Sequence, residues 1–259
     1  MEVIYTAPLA GLVIGILVGC IGIGGGALMM PFLLFGLGLD PITAVGTDLV
    51  YAATVKAVGT VEHSRLNTID WKRVRSLALG SLPGMVLASF LFFYIASHSS
   101  PQYANQRIEQ LVGAAILLVA CVSILKPWLV TRFAPVLVRF EEARRHRSIL
   151  IGSGFAVGCL VALTSVGSGA LVALVLATTT RLEAKRIVGT DLAHAVLLIS
   201  LGAMIHVAAG SVQWAIVASV VAGGIPGVIL GSRLSVGLPD SLVRAGISLA
   251  LVMTGVSLV

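Results

Sequence analysis

The chain has 259 residues, 58% hydrophobic and only 11% charged, with a mean hydropathy of +1.05. A water-soluble domain carries about 25% charged residues, so this composition excludes that class. The net charge of +6 does not indicate a nucleic-acid partner, because most Lys and Arg residues cluster in loops between apolar runs, as membrane topology requires.

Glu2 precedes the first apolar run without any Lys or Arg, so the N-terminus lacks the basic region of a cleaved signal peptide and reads as mature sequence. Apolar segments are predicted at 6–37, 42–61, 74–96 and 108–125, then at 149–179, 187–208, 214–232 and 242–259. Runs near 20 residues are what membrane-spanning helices need. Between the two sets lies Lys126–Arg147, a basic linker expected on the membrane surface. Cys20, Cys121 and Cys159 sit in apolar segments without paired spacing and read as inert thiols.

The first and fifth runs are interrupted by glycine-rich stretches, Cys20-Ile-Gly-Ile-Gly-Gly-Gly-Ala-Leu-Met-Met30 and Thr164-Ser-Val-Gly-Ser-Gly-Ala-Leu171. Each glycine costs a helix roughly 1 kcal/mol relative to alanine, so a broken helix is expected at both. Inside a bilayer such a break is tolerated only where protein covers it or it lines a watery cavity. Gly11, Gly15 and Gly19, by contrast, have the spacing of close helix packing. Gly22-Ile-Gly-Gly-Gly-Ala27 also fits a dinucleotide-binding pattern with Asp40 downstream, but no strand precedes it. No cofactor is expected. The chain also lacks a Ser-His-Asp set, a Cys/His metal cluster and a HExxH run, which argues against an enzyme.

The chain is internally repeated. A shift of 143 residues maps Gly11 onto Gly154, Gly15 onto Gly158, Gly24 onto Gly167 and Gly26 onto Gly169. It carries Val45-Gly-Thr-Asp-Leu49 onto Val188-Gly-Thr-Asp-Leu192, His63 onto His206, Trp71 onto Trp214, and Pro83-Gly84 onto Pro226-Gly227. One duplicated unit built the protein. The expected organisation is a single transporter domain: N-terminal repeat 1–125, cytoplasmic basic linker 126–147 and C-terminal repeat 148–259.

Loop charge sets the expected topology. Loops 62–75, 126–147, 180–187 and 233–244 hold 15 of the 17 Lys and Arg residues. Eight simple crossings would put two of these loops on each side, against the positive-inside rule. If the first segment of each half enters and turns back at its glycines, all four share the cytoplasmic face and both termini are periplasmic. The expected fold is therefore an all-α integral membrane protein of two inverted-topology repeats, each with one re-entrant, glycine-tipped segment and three transmembrane helices.

Two helix N-termini meeting at such tips would form an anion site from backbone N–H groups. The candidate substrate-binding residues are Gly22, Ile23, Gly24, Gly25, Gly26, Thr47 and Lys56 in the first half. In the second they are Ser165, Val166, Gly167, Ser168, Gly169 and Thr190. Asp48, Asp191, His194, His63 and His206 are candidates for proton coupling. A charge at membrane depth costs at least ~2.5–3.5 kcal/mol, so Asp48, Asp191 and Lys56 should face the interior and pair. Two readings stay open for the aspartates, a structural pair between the halves or a proton carrier. The same holds for His63 and His206, which are proton relays or interfacial residues. Pro83-Gly84 and Pro226-Gly227 are either flexing points or static kinks.

Gly-Ile-Gly-Gly-Gly followed by Pro31, then Val-Gly-Thr-Asp-Leu, then Trp71 after a basic turn, all repeated, resembles the sulfite exporter TauE/SafE family over nearly the whole chain. The resemblance implies export or exchange of small sulfur-containing anions such as sulfite, sulfoacetate or related organosulfonates across a bacterial inner membrane. Its partners would be that anion, protons and the bilayer, and a homodimer is compatible with it. On this reading the chain is a proton-coupled secondary transporter working by alternating access. The alternative is an anion channel with the same midplane site. The topology is testable with reporter fusions: fusions at Gly38 and at Glu142 should report opposite sides of the membrane, and the same side for both would rule out the re-entrant arrangement.

Overall fold

A computed structural model describes residues 2–21, 26–98, 100–137 and 144–234. The described residues form helices without strands. These are α1 (Glu2–Ile21), α2 (Gly26–Pro31, continued by a π-helical turn over Phe32–Gly36), α3 (Pro41–Arg65), α4 (Trp71–His98) and α5 (Pro101–Leu137). They are followed by α6 (Arg144–Thr164), α7 (Ser168–Thr179), α8 (Ala184–Ala208) and α9 (Trp214–Leu234). Among the described residues, five helices have a stretch long and apolar enough to cross a bilayer: Trp71–His98, Gln102–Lys126, Arg147–Thr164, Lys185–Ala208 and Trp214–Gly231. The chain is a multi-pass, all-α integral membrane protein. α3 is also 25 residues long, but it carries Asp48, Lys56 and Glu62.

The helices pair across the two halves of the sequence. α1 packs most extensively on α9, and α4 on α6, while α3 crosses α8. Glycine makes the first two contacts possible. A Cβ at Gly80 would overlap the Ile151 carbonyl, and a Cβ at Gly223 would overlap that of Pro8. Gly154 meets the Leu77 backbone in the same way, and Gly11 meets Val220. Each contact in one pair is reproduced in the other at positions 143 residues away, so the repeat seen in sequence is also a repeat of contacts. With little hydrophobic drive between helices in lipid, such close backbone approach is a principal source of association.

The pairings also give directions. Gly154 lies beside Leu77, Gly158 beside Ser81 and Gly84 beside Cys159, so α6 runs parallel to α4. Likewise Gly223 meets Pro8 and Gly231 meets Ile16, so α1 runs parallel to α9. α3 and α8 are antiparallel. The Asp70 N–H donates to Thr190 Oγ1 at 3.0 Å, and at the other end the Gln213 N–H donates to Thr47 Oγ1 at 3.1 Å. The basic starts of α4, α6 and α8 therefore gather at one end of the bundle, and the starts of α1, α3 and α9 at the other.

Some boundaries differ from the sequence reading. The apolar stretch of α5 ends at Lys126, while its helical backbone continues to Leu137 into the sequence expected as a linker. Pro127 starts no new element, and the amphipathic stretch after it keeps helical hydrogen bonding. The broken fifth segment is also divided unequally. α6 contains an 18-residue apolar stretch, about 27 Å long and close to the bilayer core, whereas the 12 residues of α7 span only about 18 Å. Gly22–Gly25 and the predicted segment 242–259 lie outside the described residues.

These contacts predict where a methyl group is tolerated. Gly80→Ala and Gly223→Ala should each destabilise the protein by about 1–3 kcal/mol or more through backbone overlap. Gly152→Ala, at a helical position with open space around it, should be neutral to stabilising, by up to about 1 kcal/mol. Thermal unfolding in detergent checks the ranking.

Candidate functional site

The second glycine break builds the site. α6 ends at Thr164, and Ser165 then takes a left-handed conformation with φ +56°, followed by Gly167 at φ +101°. The Thr164 side chain stabilises the turn, donating to the Leu160 carbonyl at 2.7 Å and accepting from the Val166 N–H at 3.1 Å. Gly167 then caps α7, whose first residue is Ser168. Thr164, Ser165, Val166 and Ser168 are all buried, so an irregular backbone is held inside protein, as a bilayer setting demands.

Lys56 reaches this turn from α3. Its ammonium, on a residue only 2% exposed, donates to Ser168 Oγ at 2.7 Å. A cation is thus placed at the N-terminus of a helix, where the partial charge is already positive. Asp191 and Asp48 lie within electrostatic range, Asp191 interacting the more strongly. Neither forms an ion pair with Lys56 among the described residues. Both Asp48 oxygens, Asp191 Oδ1, Ser165 Oγ and His194 Nδ1 are buried without a hydrogen-bond partner among the described residues. Buried polar atoms are nearly always satisfied, so a cluster of orphans around one ammonium marks a place that a ligand or water would complete.

The first glycine tip meets the second here. A methyl group at Gly26 would lie 2.5 Å from the Ser165 carbonyl oxygen and 2.8 Å from Asp48 Oδ2. The structure thus brings Gly26, Asp48, Lys56, Ser165 and Ser168 together, with Asp191 and His194 in the surrounding field. Gly169 is buried in the first turn of α7. Gly22, Ile23, Gly24 and Gly25 lie outside the described residues.

Other candidates have structural partners elsewhere. Thr47 and Thr190 accept backbone N–H groups from the loop of the opposite half. His63 Nδ1 pairs with Thr68 Oγ1 at 2.9 Å and His206 Nδ1 with Ser211 Oγ at 2.9 Å, closing the ends of α3 and α8. His206 also packs against Phe92 and Phe93.

Sequence reasoning missed Ser81, which pairs with His194 Nε2 at 2.8 Å, and Lys126, which lies within electrostatic range of Asp191. It also missed Tyr51, whose hydroxyl reaches the Gly11 carbonyl at 3.5 Å and packs against Gly224. A signal existed. Under the 143-residue shift Ser81 aligns with Gly224 and Tyr51 with His194, so repeated positions whose two copies carry different side chains mark the asymmetric part of the interior.

A glycine-broken helix pair, a buried ammonium at a helix N-terminus and buried acids without hydrogen-bond partners among the described residues fit a membrane transporter for a small charged solute. The comparisons agree. The family described as sulfite exporter TauE/SafE matches residues 7–258, and the chain belongs to it. It is 37% identical to the probable membrane transporter protein YjnA of Bacillus subtilis (strain 168) over 214 residues, which is 82% of this chain and 83% of that protein. It is 26% identical to a probable membrane transporter protein of Xylella fastidiosa (strain 9a5c) over 110 residues, 42% of this chain and 40% of the relative. Similarity to the probable membrane transporter protein YunE of B. subtilis is 22% over 232 residues, 82% and 81% of the two chains. No solved structure matches.

The Lys56–Ser168 contact yields a direct test. Lys56→Met should weaken small-oxyanion binding at least tenfold, about 1.4 kcal/mol, read as loss of the anion-induced rise in melting temperature. Ser168→Val should do the same while still folding.

Proposed function

We propose that the chain is a secondary transporter that exports or exchanges small sulfur-containing anions, such as sulfite, sulfoacetate or a related organosulfonate, across a bacterial inner membrane. The observation that carries this reading is the buried Lys56 ammonium hydrogen-bonded at the start of α7. Two positive features converge in the membrane interior, and an oxyanion bridging the ammonium and the free N–H groups of α7 would satisfy both. The family and its relatives support transport.

The substrate site lies between the glycine tips, with the hydroxyls of Ser165 and Ser168 beside it. The halves are inverted repeats, a reading supported by the antiparallel crossing of α3 and α8. Because α6 and α8 both start at the basic end, α7 between them returns to that end as a re-entrant helix. The basic end is cytoplasmic by the positive-inside rule and the start of α1 periplasmic. Alternating access arises by rocking of α1 with α9 against α4 with α6, since backbone contact locks each pair.

Protons couple to the anion through charge balance. Lys56, Asp48 and Asp191 carry +1, −1 and −1, so an added monoanion leaves −2 in a poorly screened interior. Two unit charges 4 Å apart interact by about 4 kcal/mol even at an effective dielectric of 20. A proton taken up at Asp191, beside His194 and its partner Ser81, offsets this. Anion binding should therefore take up a proton and tighten as the pH is lowered through neutrality, and Asp191→Asn should flatten that dependence. Calorimetry in two buffers of different ionisation enthalpy counts the protons directly, and a count of zero in the wild type would remove the coupling scheme.

A further inference from the structure

The two acids are not equivalent, although the repeat places them at equivalent positions. Asp191 of the second half lies within electrostatic range of Lys56 of the first. The counterpart of that pair is Asp48 with residue 199, and residue 199 is isoleucine. Lys56 stands about 12 Å along the helix from Asp48 and interacts more strongly with Asp191. Asp48 is 0% exposed, and both of its oxygens lack a partner among the described residues.

Other oxygens converge on it. A Cβ at Gly26 would clash with the Ser165 carbonyl oxygen at 2.5 Å and with Asp48 Oδ2 at 2.8 Å, so both oxygens are packed against the Gly26 backbone and close to one another. The left-handed turn at Ser165 sets this carbonyl at the C-terminal end of α6, where the helix dipole is negative. Ser165 Oγ, 3% exposed as a residue, is buried without a partner beside it. A carboxylate, an unwound carbonyl and a hydroxyl at the C-terminal end of a broken helix make a hard-oxygen set suited to a small alkali cation. A single carboxylate favours one positive charge over two.

We propose that Asp48, with the Ser165 carbonyl and hydroxyl, holds a sodium ion next to the anion site, the missing side chain of Gly26 letting these oxygens approach one another. This rests on the transporter reading above and deepens it, because the ion supplies the charge that Ile199 does not. With sodium at Asp48 and a proton at Asp191, a cavity holding Lys56 and a bound monoanion sums to zero.

The test is thermal unfolding of the purified full chain at fixed pH and ionic strength, with no substrate anion present, in sodium, potassium or N-methyl-D-glucamine gluconate. Sodium should raise the melting temperature saturably, by about 4 °C at a tenfold excess over its dissociation constant, and the organic cation should not. Asp48→Asn and Gly26→Ala should each lose that rise, whereas Asp191→Asn should keep it. If the three salts give the same curve in the wild type, or if Asp48→Asn retains the sodium response, the site does not exist. A melting-temperature rise on adding sulfite in the organic-cation salt is a separate readout, so loss of the sodium effect and loss of anion binding are told apart.

Discussion

An ammonium group held out of water is the constraint to which the interior answers. Lys56 is buried on a helix that also carries a buried acid, and desolvating each charge costs several kcal/mol unless geometry restores what water supplied. The protein restores only part of it. Ser168 Oγ takes one of the three ammonium protons, and Asp191 and Asp48 contribute at longer range. A site that leaves a cation and two acids only partly satisfied is suited to admit and release charged solutes, since full internal pairing would leave nothing for a ligand to gain.

The duplication explains how such a site is held. Contacts made once by the first half are made again by the second, from the threonine–amide bonds at Thr47 and Thr190 to the glycine contacts of α1 with α9 and α4 with α6. This repeated frame is rigid because backbone touches backbone. The proposed site lies where the copies differ: Lys56 opposite Ile199, Ser165 and Ser168 opposite Gly22 and Gly25, Tyr51 opposite His194, and Gly224 opposite Ser81. Symmetry supplies the scaffold and its breaking supplies the chemistry.

Much of this was legible in the sequence. The glycine-rich interruptions predicted the break between α6 and α7, because glycine lowers helix stability through a local effect. Burial cost alone indicated that Asp48, Asp191 and Lys56 would turn inward. The partners were harder to see. That Lys56 reaches Ser168 rather than an acid of its own helix depends on how α3 crosses α7 and α8, which no local pattern encodes. That Thr47 and Thr190 accept backbone N–H groups from the facing loops was equally out of reach, since it depends on how α3 and α8 cross. The apolar stretch of α5 ends at Lys126, where hydropathy placed it, while hydropathy says nothing of the helical backbone that continues to Leu137.

The pairing of α1 with α9 also bears on how the protein is made. α1 leaves the ribosome before its packing partner α9, with α2 to α8 synthesised between them. Until then the face bearing Gly11 and Gly15 has no helix to close on, and its carbonyls must be screened by lipid or by the insertion machinery. α4 and α6 are separated by one helix and can zip together first. Biogenesis thus has a built-in order, one glycine-packed pair closing early and the other last, and a chain stalled before α9 would be left with α1 unpaired in the membrane.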